Sequence, residues 1–274
     1  MVRTLLAFGD SHTAGSEIDE KNSESCHSRA YPAYIAKYYK FDYENYAQTG
    51  GSNDWALVQF NKVIKSVIEN KKEVFVLFNF LEPARTFFYN EESEMIPVMH
   101  CLPNMLQKNH IKEISKRFKP KSEKEHSEYL YWLHNVYIKD HAKIMPLYRN
   151  YLKKYSTELL DIKAIKQINY VQNICKQNNI PFIFHTSCLW YCGDWTSISQ
   201  KNFYGHDKES YTQDNYINRG NFYSFWGRAT KHSRWKHLQK EYRWSEHYPE
   251  EYHRYYASLL INFINNQKIL EGFI

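Results

Sequence analysis

Ser11 stands in Gly9-Asp10-Ser11-His12, directly after the apolar run Thr4-Leu5-Leu6-Ala7-Phe8. That run reads as a strand, and the glycine after it as a tight turn into a helix. Such a strand–turn–helix presents its polar residue at the carboxyl edge of a sheet, where open α/β sheets bind ligands. A serine held there can act as a nucleophile, and the amides of the turn can receive an oxyanion. The nucleophile needs a base, and histidine has the pKa for it. The base often comes from a distant part of the chain. His247, in Ser245-Glu246-His247-Tyr248-Pro249, lies just before the last helix and is the best-placed candidate. His253, six residues on and inside that helix, is expected to point away. Read without these partners, Ser11 is a turn serine capping a helix.

The elements that must position these residues follow from periodicity. Strands are expected at 4–8, 42–46, 74–80 and 182–186, alternating with helices. Glu73 to Phe80 is nearly continuous apolar, as a strand buried on both faces should be. Gln48-Thr49-Gly50-Gly51-Ser52-Asn53-Asp54 reads as a turn opening a helix with Leu57, Phe60, Ile64, Val67 and Ile68 at helical spacing. Further helices are expected around 31–39, 127–154 and 156–178, and a closing one from Pro249-Glu250-Glu251. This βαβ alternation predicts a parallel, doubly wound sheet in one α/β domain of 274 residues. Two segments break the pattern. Residues 91–126 read as an irregular, charged insertion. Residues 188–246 hold five of the seven tryptophans and the basic run Arg228, Lys231, Arg234, Lys236, Lys240 and Arg243.

Composition narrows the class. A hydrophobic fraction of 43% allows a full core, and the aromatic fraction of 17% is high. The net charge of +6 suits anionic partners without requiring them. Five cysteines without regular spacing argue against a disulfide framework and for reduced thiols. No stretch reaches the roughly 18 apolar residues of a membrane span, and the N-terminus lacks a signal-peptide pattern. The expected location is the cytoplasm, with release by lysis or with a virion. His185-x-x-Cys188-x-x-x-Cys192 offers three metal-type ligands without a fourth, so no metal is expected.

Three segments together resemble the SGNH (GDSL-like) hydrolases. Gly9-Asp10-Ser11-His12 resembles the first block of that family. Asn45 to Asn53 resembles the second, in which a glycine amide donates to the oxyanion hole; Gly50 is the better match and Gly51 the next. His247 to His253 resembles the terminal block. The resemblance implies a flavodoxin-like three-layer α/β/α fold, ester hydrolysis through an acyl-enzyme, and no cofactor. Ser11 would be the nucleophile and His247 the base. Two positions depart from the family. Trp244 stands where an aspartate is usual, leaving Glu246 as the nearest carboxylate or a Ser–His dyad. The third block lacks Gly-x-Asn-Asp, leaving Asn79 or Asn53 as the side-chain donor. Glu82-Pro83-Ala84-Arg85 resembles the third block of phage-type members, which adds Arg85 as a binding residue.

The expected activity is therefore esterase chemistry on a small acylated substrate, such as an acetylated glycan. Two alternatives stand beside it. One is a catalytically silent module of the same fold that binds a glycan or an assembly partner. The other is a nucleic-acid-associated protein using residues 228–243.

Overall fold

The computed structural model describes residues 3–16, 18, 26–81, 86–89, 95–98, 146, 150, 157–186, 197, 200–204 and 248–274. Elements are numbered among these residues. Strands β1 (Thr4–Phe8), β2 (Asp42–Asn45), β3 (Val74–Phe80) and β6 (Phe182–Thr186) form one parallel sheet in the order β2-β1-β3-β6. The register pairs Leu5 with Tyr43 and Phe75, and Asn79 with His185. The chain leaves β1 toward β2 on one side and returns past it to β3 on the other. The carboxyl ends of β1 and β3 thus flank the point where strand order reverses, the usual crevice of open α/β sheets.

Alternation along the strands sorts the core into two layers. Leu6, Phe8, Val76, Phe78 and Phe184 face helices α3 (Asn53–Glu69) and α4 (Thr157–Gln177). Leu5, Ala7, Phe75, Leu77 and Ile183 face α2 (Tyr31–Tyr39) and α5 (Glu250–Asn266). The result is a three-layer α/β/α arrangement with a parallel central sheet. Aromatic packing is dense where β1 ends: the Phe8 ring stacks on Tyr46 and on Phe78 at centroid distances of 5.4 and 5.7 Å. Asp54 in the first turn of α3 joins that helix to α4, accepting from Lys163 Nζ and Gln167 Nε2, both at 2.7 Å.

The expected strands and helices in these residues appear within a residue or two of their predicted ends. One segment is corrected. Thr86–Tyr89 (β4) and Met95–Val98 (β5) pair antiparallel, so the start of the segment expected to be irregular carries a strand. Thr-Phe-Phe-Tyr and Met-Ile-Pro-Val are short β-forming runs separated in sequence by polar and acidic residues. The charge of the surrounding residues hid them from a periodicity reading. The helix expected over 127–154 and most of the insertion expected over 188–246 lie outside the described residues.

No helix among the described residues is long and apolar enough to cross a membrane.

Candidate active site

Ser11 opens a four-residue helix, α1 (Ser11–Ala14), directly beyond the carboxyl end of β1. Asp10 is the cap of that helix. Its Oδ1 accepts from the amides of His12 and Thr13 at 3.1 and 3.4 Å. The cap role open to Ser11 is thus filled by its neighbour. Ser11 retains 7% of its surface exposed. Gly15, left-handed at φ 69°, ends the helix and returns its amide to Ser11 O. The turn is crowded from below. A Cβ on Gly9 would collide with Thr13 Oγ1 and lie 2.8 Å from Asn79 Cβ. Gly9→Ala should therefore cost about 1–3 kcal/mol, the usual range for overpacking. A thermal melt checks it; an unchanged Tm would contradict this packing.

The loop after β2 runs beside this turn. Tyr46 N donates to Ala7 O at 2.8 Å, and Gln48 N to Gly9 O at 3.3 Å. Asn45 Nδ2 donates to Thr13 O at 2.8 Å, tying the loop to α1. The Ser16 and Thr49 hydroxyls are hydrogen-bonded to each other. Gly50 is left-handed at φ 72°. Gly51 is buried, and a Cβ there would stand 3.0 Å from Gly9 O and 3.6 Å from Asp10 Cα. The Gly50-Gly51 pair thus lies against the Ser11 turn, with Gly51 making the close approach. Ser52 then caps α3, its Oγ accepting from Trp55 N.

Both candidate asparagines are engaged elsewhere. Asn79 Nδ2 donates to Asp10 Oδ1 and to Thr13 Oγ1, each at 2.9 Å. Its register on β3 puts it on the α2/α5 face, beneath the turn. Asn53 makes a reciprocal pair with the backbone of Leu81, donating to its carbonyl at 3.0 Å and accepting from its amide at 2.8 Å. That pair ties the exit of β3 to the start of α3.

His185 also has both ring nitrogens in hydrogen bonds. Nε2 meets Tyr31 Oη at 2.7 Å and Nδ1 meets Tyr256 Oη at 3.3 Å. Burial drives its pKa down to about 3, against a small upward pull from Asp10 and from a bond to the Thr186 backbone. It is a neutral core histidine, not a free metal ligand. Cys188 and Cys192 lie outside the described residues.

His253 turns toward the start of α2. It is buried, accepts the Tyr31 amide on Nδ1 at 3.2 Å, and stacks on the Tyr31 ring. It caps α2, and the nitrogen holding that amide is not available to a serine proton. His247, Glu246 and Arg85 lie outside the described residues. The residues following His247 are firmly held. Tyr248 is buried in the α2/α5 layer. Glu250 accepts from Arg29 Nε at 2.5 Å, and also binds Tyr34 Oη and Arg254.

Tyr34, then Arg254 and Arg29, hold the Glu250 carboxyl down at about 2, while burial opposes them. A lowered folded pKa means this contribution is complete above the ordinary value of 4.5 and is lost as pH falls toward 2. Glu250→Gln should lower Tm at pH 7 by a few degrees, matching about 1 kcal/mol for a partly exposed network. The deficit should shrink in melts at pH 3, and a constant deficit would refute the linkage.

Neither a described protein family nor a curated protein matches the sequence. Several solved structures resemble it distantly, among them two hydrolases. An acetyl xylan esterase (Est2A) from the rumen bacterium Butyrivibrio proteoclasticus aligns with a TM-score of 0.39 and 12% identity. That alignment covers 97% of this chain, which spans 64% of the esterase's length. A lipase/acylhydrolase from Enterococcus faecalis aligns with a TM-score of 0.33 and 14% identity, covering 97% of each chain. At these values neither likeness transfers chemistry, and the site stands on its own geometry.

Proposed function

We propose that this chain is a serine esterase of the SGNH type, with Ser11 as nucleophile. The observation that carries this reading is the placement of Ser11. It opens a helix at the crossover crevice, with the Gly50-Gly51 turn packed against it. Ser11 Oγ attacks the ester carbonyl while His247 takes the hydroxyl proton. The tetrahedral oxyanion is received by the amides of Ser11 and Gly50, while the Gly51 amide is held by Gln48 O at 2.9 Å. His247 returns the proton to the leaving alcohol, and the acyl group stays on Ser11. Water, deprotonated by His247, attacks the acyl carbonyl; the carboxylic acid leaves and Ser11 regains its proton.

Tyr248 and Glu250 support His247 in this role, because they anchor the chain immediately after it. Glu246 orients the imidazole, and Arg85 contacts substrate. Asn53 and Asn79 are positioning residues, since their amides are committed to Leu81, Asp10 and Thr13. The substrate is a small acyl ester on a polar carrier, such as an acetylated glycan; aromatic faces in 188–246 suit a sugar ring.

Labelling by a fluorophosphonate, read by intact mass and peptide mapping, tests the reading. One phosphonyl group should attach at Ser11. A catalytically silent binding module is the second reading, favoured by the commitment of the Asn79 amide beneath the turn. Absence of label in the folded wild type would decide for it.

A further inference from the structure

We propose that Tyr31 and His185 are positioning residues for Ser11, forming with Thr13 and Tyr256 a buried hydrogen-bonded pillar that fixes the residues on either side of it. The proposal rests on the nucleophile reading above for its catalytic consequence, but the pillar itself is visible without it.

The chain of contacts is continuous. Tyr256 Oη meets His185 Nδ1 at 3.3 Å, and His185 Nε2 meets Tyr31 Oη at 2.7 Å. Tyr31 Oη meets Thr13 Oγ1 at 2.8 Å, and Thr13 Oγ1 accepts from Asn79 Nδ2 at 2.9 Å. The same Asn79 nitrogen donates to Asp10 Oδ1 at 2.9 Å. Each of these residues is buried, and they come from α5, β6, α2, α1, β3 and the β1–α1 turn. One sense of donation runs through the whole chain, from Asn79 to Thr13, Tyr31, His185 and Tyr256. It requires a neutral His185 with its proton on Nδ1, consistent with burial holding it uncharged. A core of this kind gains little stability over an apolar one of equal volume. What it supplies is direction, because hydrogen bonds fix angles where apolar packing does not.

The pillar ends on Asp10 and Thr13, one residue before Ser11 and two after it. Ser11 is thereby held from both sides while its own hydroxyl stays uncommitted to the pillar. Tyr31 is the joint. Its hydroxyl links Thr13 to His185, and its ring packs edge-on to His185 and Tyr256 at 5.2 and 5.3 Å.

Tyr31→Phe removes the joint and keeps the ring. The expected result is a kcat for p-nitrophenyl acetate lowered about tenfold to a hundredfold, as a misplacement of about 1 Å can produce. KM should change less than about twofold, because ground-state binding is untouched. Fluorophosphonate labelling should slow in parallel. Amide hydrogen exchange at His12 and Thr13 should speed up at least about tenfold. Thr13→Val should behave likewise, and Thr13→Ser, which keeps the hydroxyl, should restore wild-type values. Exchange at the wild-type rate in both Tyr31→Phe and Thr13→Val would overturn the pillar. Loosened amides with an unaltered kcat would overturn its positioning role. A wild type that takes no label, with loosened amides in Tyr31→Phe, would remove the nucleophile and leave the pillar supported.

Discussion

Ser11→Ala should lower kcat/KM for p-nitrophenyl acetate by at least about a thousandfold, and His247→Ala should do the same. On the proposed mechanism the double variant should be no worse than either single one, because the two side chains would act as a unit in one proton transfer. Residual turnover would then come from the backbone amides alone. The structure makes this a clean experiment. Asp10, not Ser11, supplies the helix cap, so removing the serine hydroxyl deletes no capping bond. Alanine at the first helical position is also a good helix former. Ser11→Ala should therefore melt within about 0.5 °C of wild type, below the shift of about 2 °C that a lost cap of about 1 kcal/mol would produce in a domain of this size. Asp10→Ala should melt lower, since it strips the cap and the Asn79 contact together. Full activity in Ser11→Ala would end the nucleophile assignment. Equal loss of activity and of folding would return Ser11 to a structural role.

The sheet was readable from sequence because its strands are short, apolar and separated by helices with a regular stripe. Thr4–Phe8, Val74–Phe80 and Phe182–Thr186 satisfy the pattern with little competition. The hairpin at Thr86–Tyr89 and Met95–Val98 was not readable, since four-residue strands in a charged segment carry almost no periodic signal. The site divides the same way. Gly9, Ser11 and the Gly50-Gly51 pair are local features, and a turn glycine announces itself. The duties of Asn79, Asn53 and His253 are not local. Each is set by a partner tens to hundreds of residues away: Asp10, Leu81 and Tyr31. Family likeness pointed to Asn79 and Asn53 as oxyanion donors; in the structure the Asn79 amide donates to the side chains of Asp10 and Thr13, and Asn53 pairs with the backbone of Leu81. The signal for the pillar was present but weak. Asn79 is the polar residue of an otherwise apolar strand, and His185 with the terminal Thr186 the polar residues of another; Asn79 and His185 are in phase with Leu77 and Ile183. A polar residue in phase with a buried face must have a buried partner, but parity alone does not say that the partner is Tyr31.

That buried histidine also makes the fold sensitive to acid. His185 is held neutral, with a pKa pushed down to about 3 by burial, whereas the unfolded chain protonates near the ordinary 6.5. Between those values the unfolded state binds more protons than the folded one, so stability rises with pH. The contribution of a neutral His185 is complete above about pH 6.5 and is lost as pH falls toward 3. The slope approaches about 1.4 kcal/mol per pH unit across that window. The groups facing the ring explain why it does not simply charge. Tyr31 and Tyr256 offer it hydroxyls and no counter-charge, and the pull of Asp10 is smaller than the cost of burial. His185→Gln keeps a donor and an acceptor without a group that titrates there. Its deficit in Tm relative to wild type should be largest at pH 7 and should shrink steadily toward pH 4. Glu250 is common to both proteins and titrates lower, between 4.5 and about 2, so it cancels in the difference. A difference curve flat from pH 7 to pH 4 would mean that His185 carries no proton-linked stability. In that case the ring must accept a proton in the folded state, with Tyr31 reoriented to receive its second N–H.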